Sequence, residues 1–290
     1  MRGILLIDKE QNMTSHDIVA DLRRHLGIRR IGHAGTLDPF ATGVMVLLID
    51  EATKLSKYLM EHDKVYDATF VLGESTETLD ATGKEHVFQP TNLEIHEIES
   101  ALDEMLGPSL QLPPAYSAIK VQGHKMVDLA RKNKDLPELE RRPITIYERG
   151  PIQDFVSQGG KVTFRVRLSV SKGTYIRAIA RDLGLKLDTI GMLSALRRLQ
   201  VGKFTLEEAV CLESIHTGNY RFLDPIDYLE MPRKVVSDEM ATMISYGREL
   251  PVDDFDELCD TILMNSLSIP IAIYRYDEVK NTMRMSVLLR

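Results

Sequence analysis

No apolar run in the 290 residues approaches the roughly 18 that a membrane-crossing helix requires. The two cysteines, Cys211 and Cys259, lie far apart without metal-type spacing, so neither a disulfide framework nor a zinc site is expected. The eight histidines form no H-E-x-x-H arrangement, and neither a P-loop nor a G-x-G-x-x-G fingerprint is present. Chemistry without metal or cofactor is expected. The apolar stretch Ile4-Leu5-Leu6-Ile7 runs directly into Asp8-Lys9-Glu10, too short for a signal peptide and suited to a buried strand. A reducing cytoplasm, no membrane association and a monomeric state are the resulting expectations.

What is present is an ordinary globular balance, 43% hydrophobic and 27% charged, with chain enough for one large domain and a small one. The net charge of −7 is unevenly spread: residues 161–203 hold ten Lys/Arg against two acids, whereas 204–290 hold eight against sixteen. So local a basic excess favours a polyanion-binding surface, although a solvated helix face also carries such charge.

Periodicity predicts an alternation of strands and helices. Helix spacing of Ile18, Leu22 and Leu26, with Thr14 or Ser15 as N-cap and Gly27 as stop, marks a first helix. Strands are expected over 44–49, 65–72 and 161–170, and helices over 51–61 and 92–106. A further helix opens at Gly173, with Ile176, Ala180 and Leu183 inward and Arg177 and Arg181 on the other side. Pro113-Pro114 enforces an irregular crossing. The charged segment 120–142 reads as a protruding helix and loop that serves binding. A domain boundary is expected near 235, giving domains of 1–235 and 236–290.

One loop stands out. Gly32-His33-Ala34-Gly35-Thr36-Leu37-Asp38-Pro39-Phe40-Ala41-Thr42-Gly43 places a carboxylate amid glycines that permit positive φ and close backbone approach, beside a proline that restricts Asp38 to extended conformations. Such a loop presents one side chain rigidly, yet Asp-Pro among glycines is also ordinary turn chemistry.

Four segments, in order and spacing, resolve this ambiguity. The Asp38 loop, Lys64-Val65-Tyr66-Asp67 leading to Gly73, Pro113-Pro114-Ala115-Tyr116-Ser117-Ala118-Ile119-Lys120, and Lys172-Gly173-Thr174-Tyr175-Ile176-Arg177 closely resemble the bacterial TruB-type tRNA pseudouridine synthases, with Asp8-Lys9 and Leu196-Arg197-Arg198 extending the match. The resemblance covers residues 1 to about 205. It implies an α/β (α+β) pseudouridine synthase fold with a mixed, largely antiparallel central sheet, and a small C-terminal PUA-like domain. The implied reaction is isomerisation of uridine 55 in the T loop of tRNA, by detaching the base at N1 and rejoining it through C5.

The resemblance also implies roles. Asp38 is the nucleophile, by attack at C1′, attack at C6 or a glycal-forming route. Tyr66 stacks on the flipped uracil, which must leave its loop to react; otherwise it is a core strand tyrosine. Arg177 orients the carboxylate through charge-assisted hydrogen bonds, or else contacts phosphate, a task for which Arg181 is better suited. Tyr175 and Leu196 line the uracil pocket, and His33 fills the space the flipped nucleotide leaves. Asp80 and Lys9 join a surrounding network. Lys120, Lys125, Arg131, Lys132, Arg141 and Arg142 are phosphate contacts along the T arm, where shape dominates recognition.

Departures from the family pattern are Glu10-Gln11-Asn12 where Pro-x-Gly is usual, Val127 in place of an aromatic residue and Glu77 in place of aspartate. Two other readings compete: a tRNA-binding or folding chaperone on the same fold without required catalysis, and a glycosidase-like hydrolase pairing Asp38 with Asp80 across a sugar.

Overall fold

The computed structural model describes every residue except 1, 2, 61, 118, 122, 123, 127, 128, 130–136, 138 and 290. Strand β1 (Ile4–Lys9), helix α1 (Ser15–Leu26), β2 (Ile31–His33) and β3 (Thr42–Ile49) open the chain. Thr14 caps α1, its side chain accepting from the Asp17 N–H while Asp17 reaches back, and Gly27 ends the helix at φ 64°. Ser15, the other N-cap candidate, is turned inward and buried. Instead of the helix expected over 51–61, the chain makes a 3-10 turn (Asp50–Leu55) and one helical turn, α2 (Ser56–Leu59). That turn begins with Asp50 at φ 52° and has no side-chain cap, which suits a tight connection better than a long helix.

Next come β4 (Lys64–Leu72), the pair β5 (Glu74–Thr76) and β6 (His86–Phe88), α3 (Ile95–Asp103), β7 (Gly107–Gln111), and the short pair β8 (Lys120–Val121) and β9 (His124–Lys125). The excursion 120–142 thus starts as a hairpin; the helix expected farther on falls largely outside the described residues. Strands β10 (Arg142–Arg149), β11 (Gln153–Gln158) and β12 (Lys161–Val170), helix α4 (Ile176–Lys186), β13 (Gly191–Val201) and β14 (Phe204–Thr205) complete the main sheet. Among the described residues it has ten strands in the order β1-β3-β13-β4-β12-β10-β7, with β2 on β3, β14 on β13 and β11 on β12. Only β3 and β13 run parallel; the sheet is mixed and largely antiparallel, as the resemblance implied.

Alternation explains the packing. Val162, Phe164, Val166, Leu168 and Val170 of β12 are buried, and Phe164 lies opposite Phe70 of β4 with the rings stacked at 5.2 Å. β1 is buried on both faces: Leu5 and Ile7 pack into the core beneath α1, while Ile4 and Leu6 join a second core with Ile262, Ile273 and Val287. Those partners belong to a smaller sheet of β15 (Arg233–Val235), β16 (Leu250–Pro251), β17 (Thr261–Met264), β18 (Pro270–Asp277) and β19 (Thr282–Leu288), ordered β15-β17-β18-β19-β16. No helix among the described residues is long and apolar enough to cross a membrane.

At Gly43 the parallel β3/β13 contact is closest. A Cβ there would stand 2.1 Å from the Arg198 carbonyl oxygen, and the residue adopts φ 102°. Gly43→Ala is expected to destabilise the fold by about 3 kcal/mol or more, combining strain with overpacking; urea unfolding that places it within about 0.5 kcal/mol of wild type, the range of an inert surface change, would contradict the contact.

Candidate active site

The Asp38 loop links β2 to β3 and is fastened on both flanks by buried side chains. Ser15 Oγ accepts from the Leu37 N–H at 3.0 Å and donates to the Leu37 oxygen at 3.2 Å. Arg198, 1% exposed, donates from Nε to Val44 O (2.7 Å) and from its two terminal nitrogens to Thr36 O and Gly35 O (both 3.3 Å). On the far side Lys9, equally buried, donates to Pro39 O (3.2 Å), Ala41 O (2.6 Å) and Glu10 O (2.8 Å). Burial pulls the Lys9 ammonium down to about 8, opposed by the negative charge of Asp38 and assisted by Arg198. The Asn12 N–H adds a bond to Pro39 O at 2.9 Å. Asn12 has φ 65°, a left-handed turn that asparagine, after glycine, tolerates well, which accommodates the departure from the glycine that the resemblance implied.

In front of the loop stands Arg177, in the first turn of α4. Its Nε donates to Asp38 Oδ2 at 2.8 Å, and its terminal nitrogens donate to Thr78 O (2.8 Å) and Tyr116 O (3.0 Å). Asp80 Oδ2 lies 3.7 Å from the same Nε. The expectation that Arg177 and Arg181 share a face opposite the core needs correction: Arg177 is buried, because the loop, Thr78 and Tyr116 close over it. Arg177 is 4% exposed and Asp38 34%, so the carboxylate forms the open side of the pair. Asp80 is itself fixed, accepting at Oδ1 from Thr78 Oγ1 (2.8 Å) and from the Thr82 N–H (2.9 Å). Asp80, 5% exposed, is not among the cleft-lining residues, so only Asp38 can meet a sugar there, which removes the two-carboxylate basis of the glycosidase reading.

Asp38 and Arg177 open into a cleft of about 440 Å³ whose lining includes Lys64, Tyr66, Tyr116, Tyr175, Leu196 and Arg198. Tyr66 and Leu196 are 7% exposed, supplying an aromatic and an aliphatic wall. Tyr175 N–H donates to Gln111 Oε1 (2.9 Å), and Gln111 returns a bond to Tyr175 O (3.1 Å); burial pushes the Tyr175 phenol above its ordinary value. A flat ring fits between such walls, with a carboxylate at its rim.

The sequence profile of the N-terminal domain of the TruB family pseudouridylate synthases matches residues 23–176. A tRNA pseudouridine synthase B of Clostridium novyi (strain NT) is 44% identical over 219 residues, 76% of this chain and 74% of that one. Another, from Arthrobacter sp. (strain FB24), is 41% identical over 261 residues, 86% of this chain and 82% of that one. The chain belongs to the TruB family of pseudouridylate synthases. Among solved structures, a chain of a Cbf5-Nop10-Gar1 complex superposes with TM-score 0.68 at 21% identity, covering 99% of this chain and 84% of that one; at that identity it speaks for the fold alone.

Within this TruB-family frame, Asp38, Tyr66, Tyr175, Arg177 and Leu196 meet in the cleft, while Asp80 and Lys9 stand behind it. His33 is not among the cleft-lining residues. It ends β2 with Nδ1 buried and unpartnered among the described residues, and burial lowers its pKa, with Arg198 and His16 acting the same way. Arg141 and Arg142 are exposed, Arg141 donating to Leu110 O. Arg181 is engaged by Asp182 and Leu112 O. The Lys120 and Lys125 side chains, Arg131, Lys132 and Val127 lie outside the described residues. Glu77 accepts from the N–H groups of Lys84 and Glu85, a turn role.

The basic stretch 161–203 requires the clearest correction. Among the described residues, at least seven of its ten cations, Lys161, Arg165, Arg177, Arg181, Lys186, Arg197 and Lys203, are ion-paired, and of these partners Asp182 alone is drawn from the stretch itself. The excess along the chain is therefore largely neutralised in space. Three site residues escaped the sequence reading: Ser15, Lys64 and Arg198. Only Arg198 and Lys64 sat within the family-like strings, and nothing in a single sequence separates buried Arg198 from half-buried Arg197.

Because the Asp38 charge raises the Lys9 pKa against burial, Asp38→Asn should move Lys9 titration below about 8. Carbon-13 NMR of lysine Cε across a pH series reads this directly; an unmoved Lys9 would show that the two charges are uncoupled.

Proposed function

We propose that this enzyme isomerises uridine 55 in the T loop of tRNA to pseudouridine, with Asp38 as nucleophile. The observation that carries the reading is the Asp38–Arg177 pair at the rim of a cleft walled by Tyr66, Tyr175 and Leu196, in a chain whose curated relatives are tRNA pseudouridine synthases B. Arg177 orients the carboxylate and offsets its charge once the bound base displaces water from the cleft. Tyr66 stacks on the flipped uracil, Tyr175 and Leu196 confine it, and the imidazole of His33, whose Nδ1 has no partner among the described residues, occupies the T loop in its place. Extruding the base costs a few kcal/mol, which stacking and edge contacts offset.

Isomerisation leaves the oxidation level of its substrate unchanged, so the reaction calls for no redox cofactor, and with Asp38 as nucleophile it needs no metal-activated water. Arg141 and Arg142, with Lys120, Lys125, Arg131, Lys132 and Arg181, would follow the phosphates of the T arm. In the same reading the enzyme is a cytoplasmic monomer, divided near residue 235, and the small sheet β15–β19 forms a PUA-like domain whose acidity limits its share of RNA affinity.

The test is tritium release from a T-arm stem-loop labelled with [5-³H]uridine, wild type beside Asp38→Asn. Release by wild type, loss of release by about 10³-fold or more in the variant and nearly unchanged stem-loop affinity are expected. Release from Asp38→Asn at the wild-type rate would overturn the nucleophile, and tight binding without release from either protein would favour a chaperone.

A further inference from the structure

Among the described residues, the acidic and basic side chains that line the cleft are Asp38, Lys64, Arg177 and Arg198. Three cations thus face one anion, although uracil enters neutral. Arg177 is matched by two carboxylates, and Arg198 is occupied by three loop carbonyls. Lys64 is different. It is nine-tenths buried and donates to the carbonyl oxygen of His62, with no carboxylate oxygen within 4.0 Å among the described residues. An ammonium has three donors, so this leaves capacity for a ligand. Burial lowers its pKa to about 8, Arg198 and Lys172 pressing the same way and Asp63 opposing. A cation so poorly solvated gains most when an anion arrives.

Lys64 and Tyr66 are two residues apart on β4 and both buried, so their side chains leave the same face of the strand about 7 Å apart. We propose that Lys64 is a further catalytic residue, donating to a carbonyl oxygen of the uracil and stabilising the negative charge the base carries while detached from its ribose. The inference rests on the function proposed above. When the N1–C1′ bond breaks, both electrons stay with the base, giving an anion spread over N1, O2 and O4, while an Asp38 oxygen bonds to C1′. On the glycal route Asp38 instead takes the C2′ proton and C1′=C2′ forms, with the same uracil anion. C5 then bonds to C1′ as the carboxylate leaves with its electron pair, or as the glycal regains its proton. The C5 proton is lost and N1 gains one. A backbone phosphate is the other anion a nucleotide brings, but it keeps its hydration at the cleft mouth, whereas Lys64 is buried beside the tyrosine proposed to stack on the base.

The test is single-turnover conversion of stem-loops carrying uridine or 5-fluorouridine at the target, read as loss of the starting nucleoside after nuclease digestion. Fluorine makes the base more acidic, so its anion needs less help. Lys64→Met should slow uridine about 100-fold but 5-fluorouridine only about 10-fold, with RNA affinity within about 3-fold of wild type. Lys64→Arg, which keeps the charge, should recover part of the uridine rate. Equal losses on both bases, or an unchanged rate with weaker and less salt-dependent binding, the mark of a phosphate contact, would overturn the proposal. So would a Lys64→Arg variant that melts normally and recovers nothing. A wild type that converts neither substrate would instead overturn the proposed function, and the role of Lys64 with it.

Discussion

Everything in the cleft depends on one carboxylate being held in place by one buried arginine. Breaking a fully buried pair typically costs about 3–5 kcal/mol; with Asp38 34% exposed, water screens this one and its cost is smaller. Here the arginine is fixed before any substrate arrives: Thr78 O and Tyr116 O take its terminal nitrogens, and Asp80 approaches the nitrogen that binds Asp38. Three chain segments distant in sequence are thereby tied to the first turn of α4, so the site forms only as the whole sheet forms. The arrangement is one of preorganisation: the carboxylate does not have to be collected and oriented during the reaction.

Behind that pair, the loop's own backbone is held from both sides. Arg198 and Lys9 occupy carbonyls on either flank of Asp38, and Ser15 takes both polar groups of Leu37. This bracing follows from topology. β3 and β13 meet as the sheet's parallel pair with Gly43 opposite Arg198, and only the absence of a side chain at Gly43 lets the strands approach so closely. β1 lies on the other edge of β3 and delivers Lys9. A buried cation is costly to desolvate, and in each case several carbonyl dipoles offset that cost.

Much of this was legible in the residues themselves. The capped helix α1, the alternating strand β12 and the glycine-framed Asp38 loop each follow from local rules, and the cleft residues were carried by motif order. β13 was not legible, although it runs through the centre of the sheet. Its pairing with β4 shifts register between Leu193 and Ala195 and again between Arg198 and Gln200, so the period of two that marks a strand is broken twice. Between the two bulges Leu196 and Arg198, two residues apart, share one face of the strand and line the cleft. Charge counted along the chain also misled, because Glu74, Asp67, Asp38, Glu104, Asp8 and Glu230 return from other segments to neutralise the basic stretch. Pairing of that kind is a property of the fold and has no local signature.

Ser15 offers the most direct test of whether bracing matters to the reaction, because it holds the residue next to Asp38 yet is not among the residues lining the cleft. The measurement is the single-turnover rate of pseudouridine formation at saturating tRNA in Ser15→Ala, beside its RNA affinity and melting temperature. A rate lower by about 10-fold or more with unchanged affinity is the predicted result, since small misplacement of a reacting group is costly. A lower melting temperature with the wild-type rate would contradict the account, showing that Arg177 alone suffices to place the carboxylate.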